Sequence, residues 1–447
     1  MGRGCRSSLR GVTTIVWFRQ DLRLADNPAL TAAAAGGDVI PVYIWSPDEE
    51  GEWPPGAASR WWLHHSLLAL ERSLHRHGSR LVIRRGPALR ALRELIAETG
   101  AQLVVWNRRY EPAAVARDTA VRSALPRSRS FNGALLAEPW TVQTAAGGPY
   151  QVFTPYWRAL RATGWPDAPL PEPHISHPAS WPVTLAVDDL ELLPRVSWDA
   201  GLAAAWTPGE RGAGERLDGF LDRAARYERD RDTPALPTSR LSPHLHHGEL
   251  SPRQVWHAVS DAAGQAAEPY LRQLAWREFA HHLLHHFPET TSEPLRPAFR
   301  RMPWREDADG LHAWQRGRTG YELVDAGMQE LWTTGWIHNR ARMVAASLLT
   351  KHLLIHWHEG ARWFWDTLVD ADLANNTLGW QWVAGSGADA APFFRIFNPE
   401  LQAQRFDADG RYRDRWLDGD RTAPLVGHAQ ARQRALRAYA SLQEGEG

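Results

Sequence analysis

A single cysteine, Cys5, in 447 residues excludes an internal disulfide framework and any metal or cluster site built from several thiolates. That scarcity suits a reducing compartment, so a cytoplasmic location is expected. No stretch approaches the ~18 apolar residues of a membrane span, and the opening MGRGCRSSLRG is basic without the apolar core of a signal peptide. No membrane partner is expected. Net charge is missing too: 51 Lys plus Arg balance 51 Asp plus Glu, so a nucleic-acid partner can be argued only from a local basic patch. Nor does a GxGxxG follow the first strand-like run, which removes the usual dinucleotide fingerprint.

What the chain has is length and tryptophan. A chain of 447 residues accommodates roughly two or three domains with substantial cores. Tryptophan occurs 24 times, well above ordinary usage; most of these rings belong in cores, and a minority is available to stack on something planar. From Thr13, apolar runs TTIVWF, VIPVYIW, RLVIRR and QLVVW alternate with helix-like stretches at 60–77, 87–99 and 112–124. Apolar strands separated by amphipathic helices predict a doubly wound parallel sheet, which places a ligand at the carboxyl ends of its strands. At the turn after the first run, WFRQDLRLADNPAL has Asp26-Asn27-Pro28 as a helix start, while Arg19, Asp21 and Arg23 form either a salt-bridge cluster or a ligand site.

Between Gly147 and Arg211 the sequence becomes Pro-rich and loses periodicity, as a surface connector would. Beyond it the strand signal disappears. The expected organisation is an α/β domain over 12–140, a connector over 141–210 and an all-helical domain over 211–447.

Polar groups in the helical part stand where burial would be costly unless they are paired. Thr238-Ser239-Arg240-Leu241-Ser242-Pro243 offers hydroxyls and backbone N–H groups at a helix start, suited to capping or to a phosphate. Gln273, Trp276 and Arg277 stand at i, i+3 and i+4 on one helical face. His281, His282, His285 and His286 lack an acidic partner at metalloprotease spacing; a solvated or DNA-facing helix is expected, with no metal. In WIHNRARM, Asn339 and Met343 share a face and His338 and Arg342 its neighbour; Asp370, Asp372, Asn375 and Asn376 follow in a Trp-rich run. Arg342 is the expected partner of Asp370, through two parallel hydrogen bonds.

These motifs, from TTIVWFRQDLRLADNPAL to about Leu417, resemble the photolyase and cryptochrome family, and most resemble class I-like cyclobutane pyrimidine dimer photolyases. The resemblance implies a light-driven carbon–carbon lyase that repairs UV-damaged DNA with reduced FAD, acting as a monomer. It assigns the FAD pyrophosphate to Thr238, Ser239, Arg240, Leu241 and Ser242, and flavin contacts to Tyr227, Tyr270 and Arg277. The Arg342–Asp370 pair lies beside the ring, Asp372 near its pyrimidine edge and Asn376 at N5. Trp276 and Trp382 become the stacking walls of the lesion pocket, Asn339 and Met343 lesion contacts, and Arg231, Arg340 and Arg395 DNA contacts. Trp380, Trp357 and Trp304 match an electron-transfer chain. The first domain is similar to an antenna module for methenyltetrahydrofolate or 8-hydroxydeazaflavin. Ala113-Ala114 replaces the Asn-Glu pair of folate-type members ahead of Arg117-Asp118, so the antenna stays open. Gln273 stands where dimer repairers carry Glu. (6-4) repairers share the Gln but place a histidine where this chain has Asn339. The alternatives are thus a cryptochrome-type photoreceptor, a (6-4) photolyase or, from the first domain alone, a nucleotide-binding protein.

Overall fold

The computed structural model describes residues 11–164, 166–390, 394–417 and 422–443; Cys5 and the first residues of the APFFRIFNP motif lie outside them. Five parallel strands, β1 (Thr14–Phe18), β2 (Val39–Trp45), β3 (Val82–Arg85), β4 (Leu103–Asn107) and β5 (Ser128–Phe131), form one sheet in the order β3-β2-β1-β4-β5. In the central register Thr14 lies between Val39 and Leu103. Every residue of β1 and β2 is buried, which is why they read as unbroken apolar runs: helices cover both faces of the sheet. β5 has no such run. Its SRSF sequence is half-exposed at the sheet edge, and the sequence reading lacks it.

The covering helices are α1 (Pro28–Ala34), α2 (Ala57–Arg76), α3 (Ala88–Thr99) and α4 (Pro112–Ala124). Asn27 caps α1 by accepting from the Leu30 N–H at 3.1 Å, with Pro28 in the first turn, as the Asp26-Asn27-Pro28 signal predicts. The cluster around it is held by internal hydrogen bonds, and Arg19 also lines a cavity at the ends of β1 and β2. Arg19 is paired with both oxygens of Asp118 at 2.7 and 2.9 Å, and the Arg23 guanidinium donates to the carbonyls of Asp26, Gly133 and Gly248.

The Pro-rich segment is more than a surface connector. It contains α5 (Phe153–Ala162) and α6 (Ala200–Ala205). Phe153, Tyr156, Trp157 and Leu160 repeat at i, i+3, i+4 and i+7 and are buried in one core with Tyr270, Ala275 and Phe279 of the helical part. That part comprises α7 (Glu210–Leu221), α8 (Tyr227–Asp230), α9 (Ser242–His246), α10 (Pro252–Ala263), α11 (Glu268–His286), α12 (Ala308–Gln315), α13 (Glu322–Thr334), α14 (Asn339–Ser347), α15 (Trp357–Thr367), α16 (Leu373–Ala384), α17 (Pro399–Phe406), α18 (Arg411–Trp416) and α19 (His428–Gln443). Among the described residues, no helix is long and apolar enough to cross a membrane.

Buried polar bonds close the seam between the sheet domain and the helices. The Asp26 carboxylate, fully buried, accepts from Ser251 Oγ, from Arg253 Nη2 at 2.6 Å and from the Leu170 N–H at 2.9 Å. Glu278 of α11 accepts from the N–H groups of Leu136 and Ala137. The histidine run of α11 joins this seam instead of facing solvent. His281 and His282 are buried, and His282 accepts the Tyr150 N–H at Nε2 (3.0 Å) and bonds the Pro139 carbonyl through Nδ1 (2.9 Å). Those two bonds require the neutral ring. Burial accordingly pushes His282 down to about 4, against the opposing pull of the Pro139 carbonyl.

A depressed histidine leaves stability intact above its unfolded value near 6.5 and removes it as the pH falls towards 4. The melting temperature is therefore expected to drop between pH 7 and pH 5, and to drop less in His282→Gln. A scan of both proteins at the two pH values checks this; an equal drop would show that His282 does not carry the effect.

Candidate active site

Four elements of the helical part converge: the segment leading into α9, the middle of α11, the start of α14 and the start of α16. Ser242 opens α9 with Pro243 in the first turn, yet no side chain caps that helix. The hydroxyls are used elsewhere. Ser242 Oγ donates to Asp370 Oδ2 at 2.6 Å, and Tyr270 donates to Ser239 Oγ at 3.1 Å. Arg240, at φ +50°, pairs its guanidinium with the buried Glu330 (2.8 Å) and lies 4.4 Å from the centre of the Trp336 ring.

A cavity of about 610 Å³ opens against this segment, walled by Thr238, Ser239 and Arg240 together with Arg216, Arg223 and Arg415. Glu215 and Glu330 stand in the same wall, so four arginines face two carboxyl groups there; burial, and then Arg240 beside it, push Arg216 below its ordinary value. His338, the N-cap of α14, faces the same space. Its Nδ1 accepts the Arg340 N–H at 3.1 Å, while its Nε2 is buried without a partner. Burial lowers this ring to about 4, which keeps it neutral.

Arg342 and Asp370 are together, as the sequence predicts, but not as a parallel fork. A single nitrogen, Nη2, spans both carboxylate oxygens at 3.2 and 3.3 Å, and Arg342 Nε is buried without a partner. Asp372 caps α16: its Oδ1 accepts from the backbone N–H and the side-chain amide of Asn375 at 2.9 and 2.6 Å. Its other oxygen is 3.6 Å from both His246 Nδ1 and His281 Nε2. Burial alone would raise this carboxyl, but His281, His246 and Arg277 outweigh it and hold Asp372 well below the usual carboxylate range. Neither histidine was marked by sequence pattern as a partner of Asp372. Asn376 commits one N–H to the Ala361 carbonyl at 3.0 Å; the other N–H and the carbonyl oxygen remain on the same amide.

Asn339 and Met343 share a face of α14, with Asn339 Nδ2 3.6 Å from Met343 Sδ. Gln273 bonds back to the Pro269 carbonyl at 3.3 Å, and Arg277 reaches across the seam to the Ala134 carbonyl at 2.8 Å. The basic residues are partly engaged. Arg340 is paired with Asp232 at 2.7 Å and lies over Phe406, Arg231 lies 5.6 Å from the Tyr227 ring, and Arg395 lies 5.4 Å from the Trp382 ring. Trp276 is part-buried and stacked on Phe153, with ring centres 3.8 Å apart and planes at 9°. The sequence reading passes over Phe153, although the spacing of 153, 156, 157 and 160 was available to find it.

Of the three remaining tryptophans, Trp357 and Trp380 are buried and Trp304 is half-buried. His356 stands between Trp304 (5.2 Å) and Trp357 (5.7 Å), and Trp380 packs on Phe364 (5.0 Å) and Trp314 (6.1 Å). Gly360 permits that packing, because a Cβ there would lie 2.0 Å from the Trp380 ring. Among the described residues, no three His, Cys, Asp or Glu side chains form a metal-ligand group.

The fold and site define a class: a parallel α/β domain joined to an all-helical flavin-binding domain. Residues 14–174 match the DNA photolyase family, and residues 270–421 match the FAD binding domain of DNA photolyase. The deoxyribodipyrimidine photo-lyase of Agrobacterium fabrum (strain C58) is 48% identical across 98% of this chain and 99% of its own. Cryptochrome-2 of Arabidopsis thaliana is 40% identical across 90% of this chain and 70% of its own length. The crystal structure of a bacterial class III photolyase from Agrobacterium tumefaciens superposes with a TM-score of 0.93 at 47% identity, covering 98% of this chain and 99% of that one. The chain belongs to the photolyase/cryptochrome family and carries its FAD-binding domain. That solved relative is class III, whereas the motifs alone liken this chain to class I.

Gly360→Ala is expected to displace the Trp380 ring and cost about 1–3 kcal/mol, as overpacked cores do. A lower melting temperature together with weaker visible flavin absorbance would register it; wild-type values in both would show that the ring yields freely.

Proposed function

We propose that this protein is a light-driven, FAD-dependent photolyase that splits cyclobutane pyrimidine dimers in UV-damaged DNA. The observation that carries the reading is the buried Arg342–Asp370–Ser242 cluster within an FAD-binding domain of this family; the amide of Asn376 and the part-buried rings of Trp276 and Trp382 lie in the same helical domain and support it. The residues fit FAD. Among the described residues, Arg342 Nε and His338 Nε2 are buried atoms without hydrogen-bond partners, and the cavity, with four arginines against two glutamates, has the size and charge to take the phosphate-bearing part of a dinucleotide.

In this reading Thr238, Ser239, Arg240, Leu241 and Ser242 hold the pyrophosphate, and Tyr227, Tyr270 and Arg277 line the cofactor. Asp370, Arg342 and Asp372 fix the ring's orientation. When bound and reduced, FAD supplies an electron to the dimer on absorbing blue light and takes it back after the ring opens. The chain's part is placement and screening. Asn376 presents an uncharged amide that donates or accepts at N5 in any protonation state. Trp276 and Trp382 stack on the extruded bases, where stacking worth ~1–3 kcal/mol per base offsets unpairing. Asn339, Met343 and Gln273 meet the pyrimidine edges, and Arg231, Arg340 and Arg395 meet backbone phosphates; for Arg340 a phosphate must displace Asp232. Trp380, Trp357 and Trp304 would relay electrons inward to the flavin from an external reductant, which is oxidised in turn. The location is cytoplasmic and the protein acts as a monomer.

An antenna chromophore belongs at the carboxyl ends of β1 and β2, where Trp17, Tyr43, Trp45, Glu50, Arg109 and Arg117 wall a cavity of about 70 Å³. That is below the ~300 Å³ of an ordinary ligand pocket, so a folate or a deazaflavin would have to part those rings. The likeness to a cryptochrome and Gln273 in place of Glu favour a second reading, a blue-light receptor. A (6-4) photolyase is disfavoured by Asn339 where that group has histidine.

Photoreduced protein incubated with dimer-containing DNA under blue light is expected to remove the dimers, and unchanged dimer content would overturn the assignment. Gln273→Glu should raise the quantum yield of splitting with little change in lesion affinity, since a carboxyl can share a proton with the pyrimidine carbonyls and an amide cannot. An unchanged yield would exclude that role.

A further inference from the structure

The ring that covers one face of Trp276 comes from α5, outside the helical domain's own run of helices. Phe153 is 2% exposed, and its ring lies 3.8 Å from that of Trp276 at 9°, close to face-to-face. Phe279 closes the edge, 5.8 Å from Trp276 and 5.9 Å from Phe153 with steep interplanar angles. The same turn of chain also holds the loop that follows α16: the Asp389 N–H, seven residues beyond Trp382, donates to the Gln151 carbonyl at 3.2 Å. One short stretch, Gln151 to Phe153, thus touches both Trp276 and the loop beyond Trp382.

We propose that Phe153 is a positioning residue for lesion recognition. It holds the Trp276 ring parallel and immobile so that the opposite face is ready to receive the extruded pyrimidines. This rests on the placement of Trp276 at the lesion. With one face already occupied, the rotamer freedom of Trp276 is lost when the protein folds instead of when DNA binds. Intact DNA, which does not insert a base into the pocket, gains nothing from that preorganisation. Phe153 therefore affects the ratio of affinities for damaged and intact DNA, more than either affinity alone. A leucine of similar bulk fills the space without offering a ring face, whereas tyrosine keeps the face.

The test measures binding in the dark to an oligonucleotide with one cyclobutane dimer and to the same sequence undamaged, for wild type, Phe153→Leu, Phe153→Tyr and Trp276→Ala. Melting temperature and flavin absorbance per protein are recorded alongside. Phe153→Leu with full flavin should lower the damaged-to-intact affinity ratio about three- to tenfold, the range expected for loss of one aromatic pair, and Phe153→Tyr should restore it. If Phe153→Leu emerges without flavin, Phe153→Met is measured in its place. An unchanged ratio in the leucine variant while Trp276→Ala loses discrimination overturns the role of Phe153 alone, as do equal losses in the leucine and tyrosine variants. An unchanged ratio in Trp276→Ala removes Trp276 from the lesion site and takes this inference with it.

Discussion

Burying a carboxylate is expensive unless every oxygen finds a donor, and this protein is assembled around several that do. Asp26 and Glu249 are among them, both buried and each with donors on both oxygens drawn from more than one part of the chain. Glu249 accepts from the Trp62 indole of α2 and from the Gly209 N–H while facing His244. Asp26 ties the first turn of the sheet domain to Ser251 and Arg253 at the start of α10. Removing any one donor leaves an uncompensated charge, so these bonds specify one arrangement of the two domains.

The same economy shapes the proposed flavin site. Asp370 and Asp372 are two residues apart but serve different partners: Asp370 faces Arg342 and Ser242, while Asp372 caps α16 and faces His246 and His281. The tryptophans differ too: some fill cores, as Trp17 and Trp62 do, and others are only part-buried, as Trp276 and Trp382 are.

Much of this was legible in the chain. β1 and β2 announce themselves as apolar runs because both their faces are covered, and Asn27-Pro28 marks a helix start by capping chemistry. The Arg342–Asp370 pair follows from the cost of leaving either charge alone in an apolar run. Other features depend on information the sequence does not carry locally. β5 is an edge strand with no apolar pattern; α5 has the right periodicity but sits among prolines that mask it. His281 and His282 resemble solvated histidines until the seam with the sheet domain is in place. Which of 24 tryptophans would form the proposed electron chain is a matter of long-range spacing, and periodicity contains none of it.

Helix α5 has a bearing on how such a chain can be divided. It lies before the helices that make up the flavin domain, yet its apolar face is part of their core, and its first turn underpins a ring that the proposed chemistry uses. A fragment beginning at Glu210 would forfeit Phe153, Tyr156 and Trp157 together and expose the side of α11 they cover. Exchange of the sheet domain between relatives, by recombination or by engineering, therefore has its permissible joint upstream of Val152, inside what looks like the first domain's tail.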